Sequence, residues 1–152
     1  TRRRSCLGDE GAASEGNAPI RFAVAPTLAA VGEAEGVLRF YLSTADVSPG
    51  LVLHAELVLE EMLGNVVRHA GLPPDARIDV EARLVPEGVR ITVEDRGPPF
   101  DPIAAPERPP PASLQQAEPG GLGLKLIRRM TATRHYGRTP DGRNRFSVVI
   151  AG

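Results

Sequence analysis

A chain of 152 residues with 41% hydrophobic content is long enough to close one core and too apolar to be wholly disordered. A formal net charge of -1 supplies no bulk field for a polyanionic partner. With no Trp, two Tyr and four Phe, the chain also lacks the rings of a stacking-based binder of single-stranded nucleic acid. The single cysteine, Cys6, excludes an internal disulfide framework and a cysteine metal cluster. No apolar run reaches transmembrane length and no signal peptide is visible, which predicts a cytoplasmic protein. The first residue is Thr rather than Met, compatible with a fragment or a processed chain. Charge is uneven: from Gly120 onward seven basic residues (Lys125, Arg128, Arg129, Arg134, Arg138, Arg143 and Arg145) face one acidic residue, Asp141. Such a field can attract phosphate or an acidic protein face, or simply be solvated.

Residues 1–19 read as a flexible tail rich in Gly, Ser, Ala and Glu, with Arg2, Arg3 and Arg4 as a solvated charge cluster. Ile20 to Ala25 alternates as a short strand, ended by Pro26. Thr27 is a candidate N-cap for a helix to about Leu42, with a mostly apolar stripe of Leu28, Val31, Glu35, Leu38 and Leu42. Ser48 caps the next helix, with Pro49 at its first position. That helix runs to Gly71 and the pair Pro73-Pro74. Its apolar face carries Leu59, Met62, Leu63, Val66 and Val67, while Glu61, Asn65 and His69, four residues apart, stack as a polar stripe along one edge. By itself this stripe reads as a solvated helix flank.

Two alternating strands follow, about Arg77 to Val85 and Val89 to Glu94, joined by a turn at Pro86-Glu87-Gly88. The second enters Glu94-Asp95-Arg96-Gly97. Pro98 to Pro119 then holds eight prolines in 22 residues, a stretch unable to form a helix or a central strand and too long for an ordinary connection. It ends in Gly120-Gly121-Leu122-Gly123-Leu124, from which a helix of about three turns departs with Leu124, Ile127 and Met130 on one face. Strands at about Thr133 to Tyr136 and Arg145 to Ile150, joined at Pro140-Asp141-Gly142, close the chain. Short turns between consecutive strands predict an α+β fold: a two-layer α/β sandwich with a mostly antiparallel sheet and helices on one face.

Each motif has an ordinary reading. Gly121-Leu122-Gly123 opening a helix suits phosphate, because free backbone amides point outward there, but glycine turns before helices are common. The cluster fits neither a Walker loop nor a dinucleotide fingerprint. Asp95 at a strand end can accept from a base amino group and Gly97 can make room for a flat ring, yet Asp-x-Gly is also plain turn chemistry. Glu61 can act as a general base and Asn65 can offer its amide oxygen to Mg²⁺, which needs few protein ligands when phosphate oxygens supply the rest. Glu60 is the rival carboxylate, about 100° away around the helix.

Taken in order, a helix with Glu61-x-x-x-Asn65, a strand ending Asp95-x-Gly97, a long loop and Gly121-x-Gly123 opening a helix resemble the Bergerat-fold ATPases of the GHKL superfamily. The resemblance spans about Ile20 to Ala151. The runs Glu61 to His69, Gly120 to Leu124 and Asn144 to Val148 are most similar to the anti-sigma-factor serine kinases of the RsbW and SpoIIAB group. The resemblance implies Glu61 as catalytic base and Asn65 as Mg²⁺ ligand and nucleotide contact. It implies Asp95 on the adenine amino group with Gly97 beneath the ring, and Gly121, Leu122, Gly123 and Leu124 at the phosphates. Residues 98–119 would be the ATP lid, with Arg108 its only basic residue. The implied activity is ATP- and Mg²⁺-dependent phosphorylation of a serine or threonine on an anti-anti-sigma (STAS-type) partner, together with sigma-factor binding, usually as a dimer. Many relatives have Thr on the last strand where this chain reads Asn144-Arg145. No long dimerisation helix with a phospho-acceptor His precedes the domain, which argues against histidine kinase activity. A second reading is an ATP- or ADP-binding regulatory module without kinase turnover, cut from a larger signalling protein.

Overall fold

A computed structural model of the chain describes residues 17–106, 112–113 and 123–152. Strand β1 (Ile20–Val24) is followed by helices α1 (Leu28–Ser43) and α2 (Pro49–His69), strands β2 (Ile78–Val85) and β3 (Gly88–Asp95), helix α3 (Gly123–Met130), and strands β4 (Thr133–Arg138) and β5 (Asn144–Ala151). Both long helices start where capping chemistry predicts. Thr27 Oγ1 accepts from the Ala30 amide at 3.2 Å and Ser48 Oγ from the Leu51 amide at 3.2 Å, each satisfying an amide left over by the helix start. Pro49 occupies the first turn of α2, where its missing N–H costs nothing. Gly71, just beyond α2, takes φ +60, a left-handed conformation that lets the chain turn away.

The five strands form one sheet in the order β1-β2-β3-β5-β4, and every pairing is antiparallel. Strand period decides its two faces. Ile78, Val80 and Ala82 of β2, Val89, Ile91 and Val93 of β3, and Phe146, Val148 and Ile150 of β5 are buried beneath the helices. The opposite parity is polar and cross-linked in register. Arg21 opposes Glu81 with a 2.6 Å ion pair, Thr92 opposes Ser147 with a 2.9 Å hydroxyl bond, and Glu94 opposes Arg145 at 2.7 Å. The expected two-layer α+β sandwich is therefore the observed architecture.

Helix α2 lies at the centre of the helical layer, against α1 on one side, α3 on the other and β3 and β5 below. Its Ala55, Val58, Leu59 and Leu63 are fully buried. On α1 the buried residues are Val31, Ala34, Leu38, Tyr41 and Leu42. Leu28, expected on the apolar stripe, is 64% exposed, because it begins the helix a turn before the face that reaches the core. Glu35, also placed on that stripe, is half-buried near α2; burial first, then Glu60 and Glu56, raises its pKa against the opposing pull of Arg39.

Several boundaries differ from expectation. Helix α3 has eight residues from Gly123, about two turns rather than three. The last hairpin is longer than predicted, with pairing continuing to Arg138 opposite Asn144, and this brings Asn144 into the ladder beside Asp95. Most of the expected tail lies outside the described residues. Its last part, Asn17, donates to the Thr44 carbonyl and hydroxyl at 3.5 and 3.2 Å and accepts from the Tyr41 hydroxyl at 3.4 Å, tying it to the end of α1.

Urea denaturation will separate cap from core: Ser48→Ala will cost about 1 kcal/mol and Leu59→Ala about 3 kcal/mol, with no change of m-value in the cap variant.

Candidate functional site

The C-terminal end of β3 delivers Asp95 to a cleft between α2 and the sheet. Met62, Val66, Val93 and Phe146 supply apolar walls, while Asn65, Asp95 and Asn144 supply polar groups. Asp95 is 6% exposed. Its Oδ1 accepts from the Gly97 amide at 2.8 Å and from Asn144 Nδ2 at 3.1 Å. Both of these hydrogen bonds fall on one oxygen, and among the described residues none is made to Oδ2. This is a site for a flat apolar ring with one donor at its edge. Gly97 is buried beside Asp95. A Cβ there would fall 2.8 Å from both Ala70 Cβ and Asp95 Oδ1, so glycine is required for close packing against the carboxylate. Gly97 thus has a supporting part as well as the expected one: its amide holds Asp95.

One helical turn back, Glu61 and Asn65 occupy the same edge of α2. Asn65 is buried and Glu61 half-buried, whereas Glu60 is exposed. The first residue of α3, Gly123, presses on this edge. A methyl at Gly123 would overlap Glu61 Oε2 and lie 3.7 Å from Asn65 Oδ1. Among the described residues, Glu61 Oε2 is buried without a hydrogen-bond partner, and Arg68 NH2 lies 3.7 Å from it, also without one. Burial is the main influence on Glu61 and raises its pKa; Arg68 lowers it and Glu60 raises it further. A carboxylate of raised basicity with an unpartnered oxygen, beside a helix start, is equipped to take a proton.

Thus Glu61, Asn65 and Gly123 meet, and Asn65 shares the lining of the cleft with Asp95. Leu124, expected at the phosphates, is half-buried in the first turn of α3. Gly121, Leu122, Arg108 and most of the lid expected at 98–119 lie outside the described residues. The described beginning of that segment packs on the domain. Phe100 stacks on His69 with ring centroids 6.4 Å apart, Pro102 is buried in the cleft wall, and Arg128 donates to the carbonyls of Ile103 and Ala105 at 3.1 and 2.7 Å.

The basic C-terminal third is largely engaged internally. Arg134 donates to the carbonyls of Arg128 and Thr131, Arg138 to the Gly97 carbonyl, Arg143 pairs with Asp79, Glu94 and Asp141, and Arg145 pairs with Glu94. The residues that motif reading misses are Tyr136 and Arg68, and it gives Asn144 only as the place where many relatives carry Thr. Asn144 carried a signal, since it shares strand parity with Phe146, Val148 and Ile150 and therefore faces the core. Arg68 carried none beyond its place three residues after Asn65.

A family model described as the histidine kinase-like ATPase domain matches residues 24–147. The serine/threonine-protein kinase BtrW of Bordetella bronchiseptica is 36% identical over 94 residues, which make up 61% of this chain and 66% of BtrW, just under two thirds of that protein. The structure of the RsbU and RsbW domains of Rv1364c from Mycobacterium tuberculosis superposes with a TM-score of 0.62 at 18% identity, covering 90% of this chain and 33% of that one. The SiaB-SiaC complex from Pseudomonas aeruginosa gives 0.56 at 22% identity, covering 85% and 87%. At these identities the two structures establish the fold.

The raised pKa of Glu61 makes a signed stability prediction. Its ordinary value is 4.5, and the fold disfavours the ionised form. Its stabilising contribution is full below the unfolded value and is lost as pH rises through the folded one. Glu61→Gln, which cannot ionise, will therefore melt at or above the wild-type temperature at neutral pH, and the gap will close on acidification below about 4.5. Gly123→Ala will leave the melting temperature within a few degrees of wild type, because a mobile carboxylate can yield, but the displaced Glu61 will lower any proton-transfer-dependent turnover by roughly 10²-fold.

Proposed function

We propose that this chain, which belongs to the histidine kinase-like ATPase domain family, is an ATP-dependent serine/threonine kinase that phosphorylates an anti-anti-sigma-type protein and acts as an anti-sigma factor by partner switching. The observation that carries the reading is the Glu61 oxygen, unpartnered among the described residues, lying against Gly123 at the start of α3 and one turn from Asn65, which shares a cleft with Asp95. BtrW, similar over most of this domain, is named a serine/threonine-protein kinase, and RsbW and the SiaB-SiaC pair are the named structural neighbours.

The residues fit the groups the reaction needs. Asp95 Oδ2 accepts from the adenine amino group while Met62, Val66 and Phe146 flank the ring. Asn65 Oδ1 would hold Mg²⁺ together with phosphate oxygens. Among the described residues no cluster of three carboxylate, His or Cys side chains could hold a metal, which suits an ion carried largely by the nucleotide. Mg²⁺, when bound, draws charge from the phosphate oxygens and favours attack at the terminal phosphorus. By the resemblance noted above, Gly121, Leu122, Gly123 and Leu124 would supply the contacts to those oxygens. Glu61 takes the proton of the incoming serine hydroxyl as its oxygen forms the new bond to phosphorus and ADP leaves. Arg68 NH2 lies 3.7 Å from that same Glu61 Oε2, within ion-pair range but beyond a hydrogen bond.

The partners follow from the same reading: a STAS-type protein that presents the serine, a sigma factor or analogous regulator, and a second copy of the chain. Leu28 and Phe40, 64% and 72% exposed on α1, supply apolar surface for such contacts. No helix among the described residues is long and apolar enough to cross a membrane; the proposed site of action is the cytoplasm.

Incubation with labelled ATP, Mg²⁺ and a STAS-type protein carrying the acceptor serine will transfer label, and Glu61→Ala will slow transfer by about 10²-fold or more. Calorimetry will show ADP binding kept in Glu61→Ala and lost in Asp95→Ala. Binding without transfer to any such partner would identify a nucleotide-responsive regulatory module instead, and absence of binding would remove both readings.

A further inference from the structure

Asn144 is the most connected polar side chain of the cleft. It is 6% exposed and opens β5, paired with Asp95 on one side and Arg138 on the other. Its Nδ2 donates to Asp95 Oδ1 at 3.1 Å, to the Gly97 carbonyl at 3.3 Å and to the Pro98 carbonyl at 2.9 Å. Its Oδ1 accepts from the Tyr136 hydroxyl at 2.6 Å, from Arg138 NH1 at 3.1 Å and from the Phe100 amide at 3.4 Å. The Phe100 amide also donates to the Tyr136 hydroxyl at 3.2 Å. The neighbours of Nδ2 are all acceptors and those of Oδ1 can all donate, so the amide has one orientation only. A carboxylate in its place would set negative charge against Asp95 and two carbonyls. A leucine would remove both amide donors and the amide acceptor from among six polar groups, leaving the Pro98 carbonyl without its bond.

Two consequences follow from this one side chain. It saturates Oδ1 of Asp95 together with the Gly97 amide, which leaves Oδ2 to face the base as an acceptor. It also grips residues 97–100, where the proline-rich segment leaves the sheet and Phe100 closes over His69. We infer that Asn144 is a positioning residue that holds Asp95 as an acceptor, so that the pocket selects a base with an exocyclic amino group, and that it couples occupancy of the base site to the root of the lid. The inference rests on the nucleotide reading above and adds the origin of base selectivity and of lid response.

Selectivity has a direct probe. ADP carries the amino donor, whereas IDP presents a carbonyl at the same position. An acceptor held in place rejects the carbonyl, because two acceptors then face each other in a buried site. With Asn144 gone, Asp95 can turn and accept from the ring N–H of hypoxanthine instead. Calorimetry on the whole chain will give ADP binding at least about tenfold tighter than IDP in the wild type. In Asn144→Ala, ADP affinity will fall about tenfold and the ADP-to-IDP ratio will contract to within about threefold. Hydrogen exchange supplies a readout independent of activity. ADP will slow amide exchange across residues 96–106 in the wild type, and that protection will be lost in Asn144→Ala. Tyr136→Phe removes one donor to Asn144 Oδ1 and leaves both donors to Asp95, so it will keep the ADP-to-IDP ratio while weakening the protection. An Asn144→Ala protein that binds ADP with wild-type selectivity would overturn the positioning role. If that variant does not fold, unchanged lid protection in Tyr136→Phe would overturn the coupling, and weakened protection would uphold it. A wild-type chain that binds neither nucleotide would bring down the nucleotide reading itself and this inference with it.

Discussion

The placement of α2 is the constraint on which the rest of the molecule depends. The helix must bury Ala55, Val58, Leu59 and Leu63 completely, and only the sheet surface of β3 and β5 flanked by α1 and α3 offers enough apolar area to do so. Once that face is down, the rotation of the helix is set. The edge carrying Glu61, Asn65 and His69 is then turned toward the ends of β3 and β5 and the start of α3. The cleft is therefore a by-product of core packing: its floor and one wall are the same residues that hold the domain together.

The site also shows where stability yields to chemistry. Glu61 is held partly out of water with one oxygen lacking a partner, beside a guanidinium that lies too far away for a hydrogen bond. A core optimised for stability alone would satisfy or remove such a group. Burial, the first influence on Glu61, is also what raises its proton affinity toward a useful range for a base. The Asp95 region is built the other way. Asp95 is saturated on one oxygen by backbone and Asn144, so its remaining acceptor points with little freedom. A flexible proton acceptor at one end and a fixed hydrogen-bond acceptor at the other suit their two tasks.

The arginine-rich C-terminal third gains a different meaning from its geometry. As a string of charges it suggests an anion-attracting field. In the fold, Arg143 and Arg145 lock the open face of the sheet to Asp79 and Glu94, Arg134 and Arg138 bond to carbonyls, and Arg128 holds Ile103 and Ala105. These bonds fasten the last hairpin and the first part of the proline-rich segment around the cleft, so the charges act mainly as local fasteners.

Much of this was legible in the order of residues. The strand alternation of β2 and β3, the Ser48-Pro49 helix start, the Gly71 stop and the spacing of Glu61 and Asn65 are local properties, governed by backbone geometry and periodicity within a few residues. They were enough to name the α+β sandwich and its family. Tertiary structure decided what depends on contacts between distant segments. Gly123 lies on Glu61 only because α3 packs on α2, and Gly97 must lack a side chain because Ala70 and Asp95 occupy the space beside it. Asn144 reaches Asp95 because the last hairpin pairs two residues further than its turn signals indicate. Period and capping act along the chain, whereas a hydrogen bond across 49 residues exists only once the sheet register is set.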